Sequence, residues 1–334
     1  MTVGHAVWPD QLDATERARL SPGVPPELDR RPDVLIVGGG IVGCATAAAC
    51  LRAGAGSVVV LERDRLGAGA SGGAAGLIQP ETHAGVDPPA FVDFMRQSLA
   101  AWTELDATWP GGVGLLPLSW HGQAQARVNP LRALACLAAG VQGVATGVAV
   151  TDVATSDGAI QTVGTSVGDF RPRSVVFATG TPPPFLGLHL PAFEVRGHML
   201  CTAPSTVTAG SDLFTRIEDG RLLMGGTLDV GDDERVVRPE IIEQMRRDLV
   251  RGCPETAGLA LDYTWACFRP AHPDHLPVID RVPGLNNAWL TSGHYKTGIM
   301  LAAGTGKALA DWLSSGSPAP ELAVFSLSRF AAVG

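Results

Sequence analysis

A fold of the α/β class, α+β overall, is predicted by two features of this 334-residue chain. Near the N-terminus an apolar strand, a glycine-rich turn, an alanine-rich helix and a second apolar strand follow one another within residues 33–62, the order of a unit built on a parallel sheet. Between 193 and 225, short apolar runs separated by polar turns read as a second β-rich region. Apolar residues make up 46% of the chain and charged residues 17%, which excludes a disordered protein. The formal charge is −8, from 25 Lys+Arg against 33 Asp+Glu, with no basic run. A nucleic-acid binder would lack its electrostatic footprint here. The 41 glycines and 25 prolines follow no period, and no internal repeat is found.

Taken in order, residues 1–31 are rich in proline and charge and are expected to form a loosely packed extension. They carry no apolar run of the secretory kind. Strands are predicted at 33–37 and 57–61, with a helix at 43–51. The stretch 34–51 has no charge and is just long enough to cross a membrane. Gly38, Gly39 and Gly40 interrupt it, and each weakens a helix by about 1 kcal/mol, so no membrane contact is expected. Phe91, Met95, Leu99 and Trp102 stand at helical spacing within 88–105. Asn129 and Pro130 are an N-cap and first-turn pair opening a helix at 131–139. From 140 to 178 the chain reads as short strands, ending in the apolar run 174–178. The second β-rich region should hold strands at 193–201, 212–217 and 222–225. The acidic stretch 229–234 reads as a solvated loop. A helix at 239–251 presents Ile242, Met245 and Leu249 on one face; a strand at 288–291 and a helix at 298–313 follow. The six cysteines, Cys44, Cys50, Cys136, Cys201, Cys253 and Cys267, form no C-x-x-C pair. Neither a disulfide framework nor a zinc site is expected, and the location expected is cytoplasmic.

Gly38-x-Gly40-x-x-Gly43 follows a strand and opens a helix, the context in which the pattern binds a dinucleotide. The first glycine makes the tight turn, the second lets a pyrophosphate approach the backbone, and the third lets helix and sheet pack closely. The helix start offers free N–H groups and a positive dipole end. Glu62 closes the second strand, where a carboxylate accepts from ribose hydroxyls and repels a 2′-phosphate. The small-residue loop 67–76 follows at once, and its Ser-Gly-Gly-Ala-Ala-Gly stretch (71–76) suits the far end of an extended cofactor, which favours FAD over NAD. Gly69-Ala-Ser71-Gly-Gly73 matches a hydrolase nucleophile pattern but lies six residues beyond the strand end, where that chemistry requires none. The strand 174–180 ends in Ala-Thr-Gly, either a cofactor edge or a simple turn.

Arg269 lies in a proline-stiffened stretch, 265–274, and suits bidentate capture of a carboxylate; pairing with an acid of its own chain is the alternative. His272 and His275 flank Pro273, which breaks the helix a metal pair would need, so no metal is expected. His294-Tyr-Lys-Thr-Gly298 leads into the last helix, whose start, with a nearby cation, would stabilise negative charge on a reduced ring. An ordinary helix entry is the alternative.

These segments stand in an order that resembles the FAD-dependent amine oxidoreductases typified by D-amino acid oxidase, sarcosine oxidase and glycine oxidase, the last most of all. The resemblance covers roughly residues 32–330 and rests on D-V-L-I-V-G-G-G-I-V-G, G-A-S-G-G-A-A-G-L-I, V-V-F-A-T-G, V-R-G-H-M-L, G-R-L-L-M-G-G-T, F-R-P-A-H-P-D-H-L-P-V-I-D and G-H-Y-K-T-G-I-M-L-A-A-G-T-G-K. It implies a Rossmann-like FAD-binding domain (32–86, 130–190 and 265–334) and a mostly antiparallel substrate domain (87–129 and 191–264). It implies hydride transfer from the carbon beside nitrogen to FAD, an imine that hydrolyses, and reoxidation by O2. A small amino-acid or amine substrate is implied, and a homo-oligomer is compatible with it. The residues that carry over for FAD are Gly38, Gly40, Ile41, Val42, Gly43, Glu62, Arg63, Ser71, Ala74, Ala75, Gly76, Leu77, Val150, Thr179, Gly180, His294, Thr297, Gly298, Ile299 and Met300. At the substrate, Arg269 carries over as the carboxylate ligand, with Tyr295 and Lys296 beside it as catalytic candidates.

The chain departs from the glycine oxidase pattern in four places. Lys296 replaces an arginine. The stretch 91–140 is tens of residues short. Leu213 or Phe214 stands where a tyrosine often reaches the substrate, and the chain has only Tyr263 and Tyr295. Cys267 with Asp280 resembles the pattern in which sarcosine oxidases attach flavin covalently, although Arg269-Pro270 differs from it. Orientation rather than a side-chain base drives the step in this family. Three variants remain open: a dehydrogenase passing electrons to a partner or carrier, a biosynthetic enzyme acting on an unusual N-substituted amino acid, and a flavin-binding protein whose shortened cap no longer supports turnover and which acts as a structural or partner subunit.

Overall fold

The computed structural model describes residues 4–207, 214–231, 234 and 236–330. A helix, α1 (Ala14–Arg19), precedes the β1 strand (Val34–Val37), helix α2 (Ile41–Arg52) and β2 (Val58–Glu62). After β3 (Leu77–Ile78) come α3 (Pro89–Thr108), β4 (Leu116–Trp120), β5 (Gln123–Arg127) and α4 (Pro130–Ala139). The chain continues through β6 (Gly143–Thr146), β7 (Val150–Ser156), β8 (Ala159–Thr165) and β9 (Ser174–Gly180). A β-rich run follows: β10 (Phe193–Thr202), β11 (Phe214–Arg216), β12 (Leu222–Gly225) and β13 (Asp229–Val230). Helix α5 (Pro239–Gly252), β14 (Leu261–Ala271), β15 (Val278–Arg281), β16 (Ala288–Ser292) and α6 (Gly298–Ser315) complete it.

Two sheets dominate. The six-stranded sheet has the order β15-β16-β9-β1-β2-β6. Every pairing in it is parallel except that of β15 with β16. The β1 strand is buried along its whole length, as a central parallel strand covered on both faces must be. The uncharged run 34–51 is therefore divided between a strand and a helix of 12 residues, and no described helix is long and apolar enough to cross a membrane. Helices α2 and α6 meet backbone to backbone: a Cβ on Gly306 would lie 2.7 Å from the Ala45 carbonyl. The second sheet is antiparallel, with β10 paired to β12 and β13 on one side and to β14 on the other. Helix α5 covers one face of it through Ile242, Met245 and Leu249, packed on Leu200 and Met224.

The predicted helices at 43–51, 88–105, 131–139, 239–251 and 298–313 are all present, each a few residues longer. Asn129 caps α4, its side chain accepting from the Leu131 and Arg132 amides. Four expectations change. Residues 4–31 are not a loose extension. Val7, Trp8, Leu12 and Leu20 are buried, and Asp13 and Glu16 close a capping box on α1. The stretch 265–274 is mostly strand: β14 runs to Ala271, and Pro270 is tolerated because β14 is an edge with only isolated bridges on its outer side. Asp229 lies in a strand and not in a loop, and its half-buried carboxylate meets buried Arg196 at 3.4 Å and buried His198 at 3.1 Å. Asp232 and Asp233 lie outside the described residues. Of the predicted strand 212–217, Phe214–Arg216 is observed and Asp212 and Leu213 lie outside the described residues.

Candidate active site

The glycine turn after β1 is shaped by what surrounds it. Gly38 has φ +116°, and a Cβ there would lie 2.4 Å from the Ala178 carbonyl oxygen. A Cβ on Gly43 would lie 2.0 Å from the Gly38 oxygen, so only glycine lets α2 approach its own turn. Gly40 is the N-cap of α2 and offers no side-chain cap. The amide of Ile41 donates to Ser71 Oγ at 3.0 Å, which ties the loop after β2 to the helix start; Val42 follows, half-buried. Ser71 sits in a 3-10 turn, Ala70–Gly73, and not at a strand end. Glu62 accepts from the Gly39 amide at 2.8 Å through Oε2 and from the Asp64 amide at 2.9 Å through Oε1. Its carboxylate is thus aimed across the turn, while Arg63 is exposed beside it. The Val148 amide donates to the Glu62 carbonyl at 2.9 Å, bringing Val150 at the start of β7 to the same end of the sheet. Thr179 and Gly180 close β9 beside Gly38, and the Gly180 carbonyl accepts from Gly293 at 2.8 Å.

The far end is built around the loop 71–76. Trp8 donates its indole N–H to the Ala74 carbonyl at 2.8 Å, and Trp265 donates to the Gly73 carbonyl at 2.9 Å. Ala75 follows, and Gly76 has φ +77° with its would-be Cβ 2.0 Å from the Val128 oxygen. Leu77 then enters β3. The two indoles are functional candidates that pattern reading missed; Trp8 in particular lay in the segment taken as an extension. Opposite the loop, His294 is buried, its Nε2 3.3 Å from Thr305 Oγ1. Burial, with buried His272 nearby, pushes its pKa down to about 3, so the ring is neutral. Tyr295 has φ +47° and stacks on His275, itself at φ +61°, with ring centroids 4.7 Å apart. Lys296 is exposed. Thr297 caps α6 without a side-chain bond, and among the described residues no side chain is bonded to the amides of the helix start, which follows directly on the 3-10 turn Tyr295–Thr297.

The first turn of α6 is held from α3. Ser98 Oγ donates to the Met300 carbonyl at 2.6 Å and accepts from the Gly304 amide at 2.9 Å, while the Trp102 indole donates to the Ile299 carbonyl at 3.0 Å. Nothing in the sequence pattern distinguishes Ser98 from any other small residue on a helix face.

Arg269 projects from β14. Its Nη1 donates to the Thr227 carbonyl at 2.8 Å, and among the described residues no carboxylate pairs with it. The guanidinium lies over two glycines: a Cβ on Gly197 or Gly226 would stand 2.2 or 2.3 Å from Nη2. Strand alternation puts Trp265, Cys267 and Arg269 on one face, the face that meets the loop at Gly73. A Cβ on Gly73 would be 2.6 Å from the Cys267 Cβ. Burial pushes the Cys267 thiol up, against the pull of Arg269. Asp280 serves the C-terminal segment, accepting from Ser326 and the Leu327 amide. Behind Arg269, on the opposite face, Thr227 Oγ1 accepts from the His198 amide at 3.0 Å. The His198 Nε2 accepts from the Arg238 amide at 3.1 Å. Burial lowers the His198 pKa, against Asp229. Phe214 packs with the α5 cluster on this far face and does not join Arg269.

His272 bonds the Pro191 carbonyl and Ser292, whereas His275 stacks on Tyr295, so the two imidazoles diverge. Among the described residues no group of three or more His, Cys, Asp or Glu is placed to hold a metal.

A glycine-cradled turn on a parallel sheet, facing an antiparallel sheet that carries an arginine with no carboxylate partner among the described residues, defines a dinucleotide-binding redox protein. The chain belongs to the FAD-dependent oxidoreductase family, which matches residues 33–126 and 109–312, and FAD is its cofactor. It is 34% identical to glycine oxidase from Pseudomonas aeruginosa over 47% of this chain. It is 28% identical to D-amino acid dehydrogenase from Cereibacter sphaeroides over 56% of this chain. Each of these stretches spans 46% of the relative, about half its length. The crystal structure of glycine oxidase from Geobacillus kaustophilus superposes with a TM-score of 0.76 at 23% identity, covering 90% of this chain and 99% of that one; this likeness shows the fold. The backbone cradle at Gly38, Gly40 and Gly43, with the Glu62 carboxylate across the turn, fits the adenine and pyrophosphate half of FAD. The loop 71–76 and the start of α6 fit its ring half.

Proposed function

We propose that the protein oxidises the C–N bond of an amino acid or N-substituted amino acid, giving an imine that water hydrolyses. The observation that carries this reading is Arg269, a guanidinium that no carboxylate among the described residues pairs with, on the sheet face that meets the loop 71–76. Bound FAD supplies the hydride acceptor. Arg269 holds the substrate carboxylate by charge-assisted hydrogen bonds, with Nη1 steadied by the Thr227 carbonyl. That contact orients the carbon to be oxidised, and orientation supplies the acceleration. The start of α6 and Lys296 would offer positive potential to the ring end of FAD, and neutral His294 would add no charge there. Tyr295, held against His275, closes the site from the helix side. FAD is held non-covalently, since the Cys267 thiol is kept protonated by burial. Glu62 and Val150 receive the adenosine, Arg63 the solvent side of it, and Thr179 and Gly180 the turn beside the pyrophosphate.

O2 is the proposed oxidant of the reduced enzyme. The similarity to D-amino acid dehydrogenase supports a second reading, in which a partner or carrier takes the electrons. A reducing, cytoplasmic setting is proposed from the six unpaired cysteines. An anaerobic absorbance titration with glycine, sarcosine, proline and D- and L-amino acids tests the reaction: bleaching of the flavin band supports it. A yellow protein that no amino acid bleaches overturns it. Readmission of air then separates the two acceptors.

A further inference from the structure

The apolar side chains beside Arg269 bear on the substrate. Four large apolar side chains are exposed among the described residues, and two of them, Leu228 at 55% and Val230 at 68%, flank Asp229. Their direction follows from their neighbours. The side chains of Thr227 and Asp229 both turn to His198, so Leu228 between them and Val230 after them point to the opposite face. Register gives the same result. Val230 is the Cα partner of Val195, and Val195 is the partner of Arg269, so all three share the face on which the guanidinium lies. The guanidinium also reaches toward this segment: it lies against Gly226, and its anchor is the carbonyl immediately before Leu228. On the same face Val195 and Tyr295 are buried against one another with Phe193 at their edge.

Two neighbouring apolar side chains beside a fixed charge offer a small ligand an apolar and an ionic contact together, and two side chains are too few for a protein interface, which needs about 800 Å² per partner. The acid between them, Asp229, is turned away to Arg196 and His198. Resting on the reading of Arg269 as the carboxylate ligand, we propose that Leu228 and Val230 bind the apolar side chain of the amino-acid substrate. The site thereby selects amino acids with an aliphatic or aromatic substituent over glycine. A glycine carboxylate on Arg269 would leave both side chains in water, whereas each buried methylene of a larger substrate adds about 0.8 kcal/mol.

The test uses the FAD-loaded protein and straight-chain carboxylates from acetate to hexanoate, with binding read from the shift of the flavin spectrum. Affinity is expected to rise about fourfold per methylene over the first two or three carbons, and the rise is expected to flatten in the Leu228→Ser/Val230→Ser double variant. A flat series in the unaltered protein overturns the proposal. So does a rise that survives in the variant. Succinate binding more tightly than butyrate also overturns it, because Lys296 would then be the specificity group. The outcomes separate the two readings. A rising series in a protein that no amino acid bleaches keeps the side-chain site and removes amine oxidation. Bleaching by glycine with a flat carboxylate series does the reverse.

Discussion

The hydroxyl of Ser98, on α3, bridges the two groups that would otherwise bond each other in the backbone ladder of α6. It donates to the Met300 carbonyl at 2.6 Å and accepts from the Gly304 amide at 2.9 Å. A side chain inserted in this way changes the direction of a helix locally. The turn it acts on is the one proposed to receive the ring end of FAD. In Ser98→Ala the ladder bond can close directly, so the stability of the apoprotein is expected to change little. The first turn is re-aimed, and the affinity for FAD is expected to fall about tenfold, equivalent to ~1.4 kcal/mol. Apoprotein titration with FAD, beside thermal melts of both forms, checks this. A fall in apoprotein stability with FAD affinity intact would make Ser98 a packing residue only.

Arg269→Ala is expected to raise KM for the amino-acid substrate by ten- to a hundredfold, the range for losing hydrogen bonds to a charged group, while FAD stays bound. Gly197→Ala tests the same guanidinium without altering it, because the new Cβ would stand 2.2 Å from Nη2. Both variants should show the loss in KM more than in the flavin spectrum. Steady-state kinetics beside FAD retention decides the matter.

His294 is held neutral, with its pKa pushed down to about 3, whereas an unfolded imidazole titrates near 6.5. The unfolded state therefore takes up the proton first. The stability contributed by neutral His294 is complete above pH ~6.5 and is lost as the pH falls from there toward 3. Buried His198 and His272 shift the same way. His294→Asn should remove one proton from this acid dependence, a slope of ~1.4 kcal/mol per pH unit, in urea titrations run between pH 4 and 7.

Trp8 is 2% exposed and holds the Ala74 carbonyl. Trp8→Ala is expected to destabilise the protein by about 3–5 kcal/mol. Trp8→Phe keeps most of the packing and loses the hydrogen bond, at about 1 kcal/mol. Urea denaturation of the two variants separates packing from the tie to the flavin loop.

Acid precipitation of the yellow protein should leave FAD in the supernatant, because the Cys267 thiol is pushed up by burial and a thiolate is the reactive form. Colour retained in the washed pellet would show a covalent link.

Local patterns determined the class of this chain. The glycine spacing at 38–43, with Glu62 closing the next strand, specifies a dinucleotide turn because φ > 0 and close backbone approach admit no other residue. The helices were legible because their apolar stripes repeat at 3.6 residues, and α4 because Asn129 and Pro130 announce it. What lies far apart in sequence was decided only by tertiary structure. Residues 4–20 read as polar because no local pattern shows that the core of another segment will receive Trp8. The direction of Arg269 depends on glycines in β10 and after β12, and the pairing of Asp229 on two side chains one strand away. The insertion of Ser98 into α6 joins residues about 200 positions apart. Sequence spacing encodes the geometry of one element at a time, whereas the substrate side of this protein is assembled by register between strands, and register is set by packing.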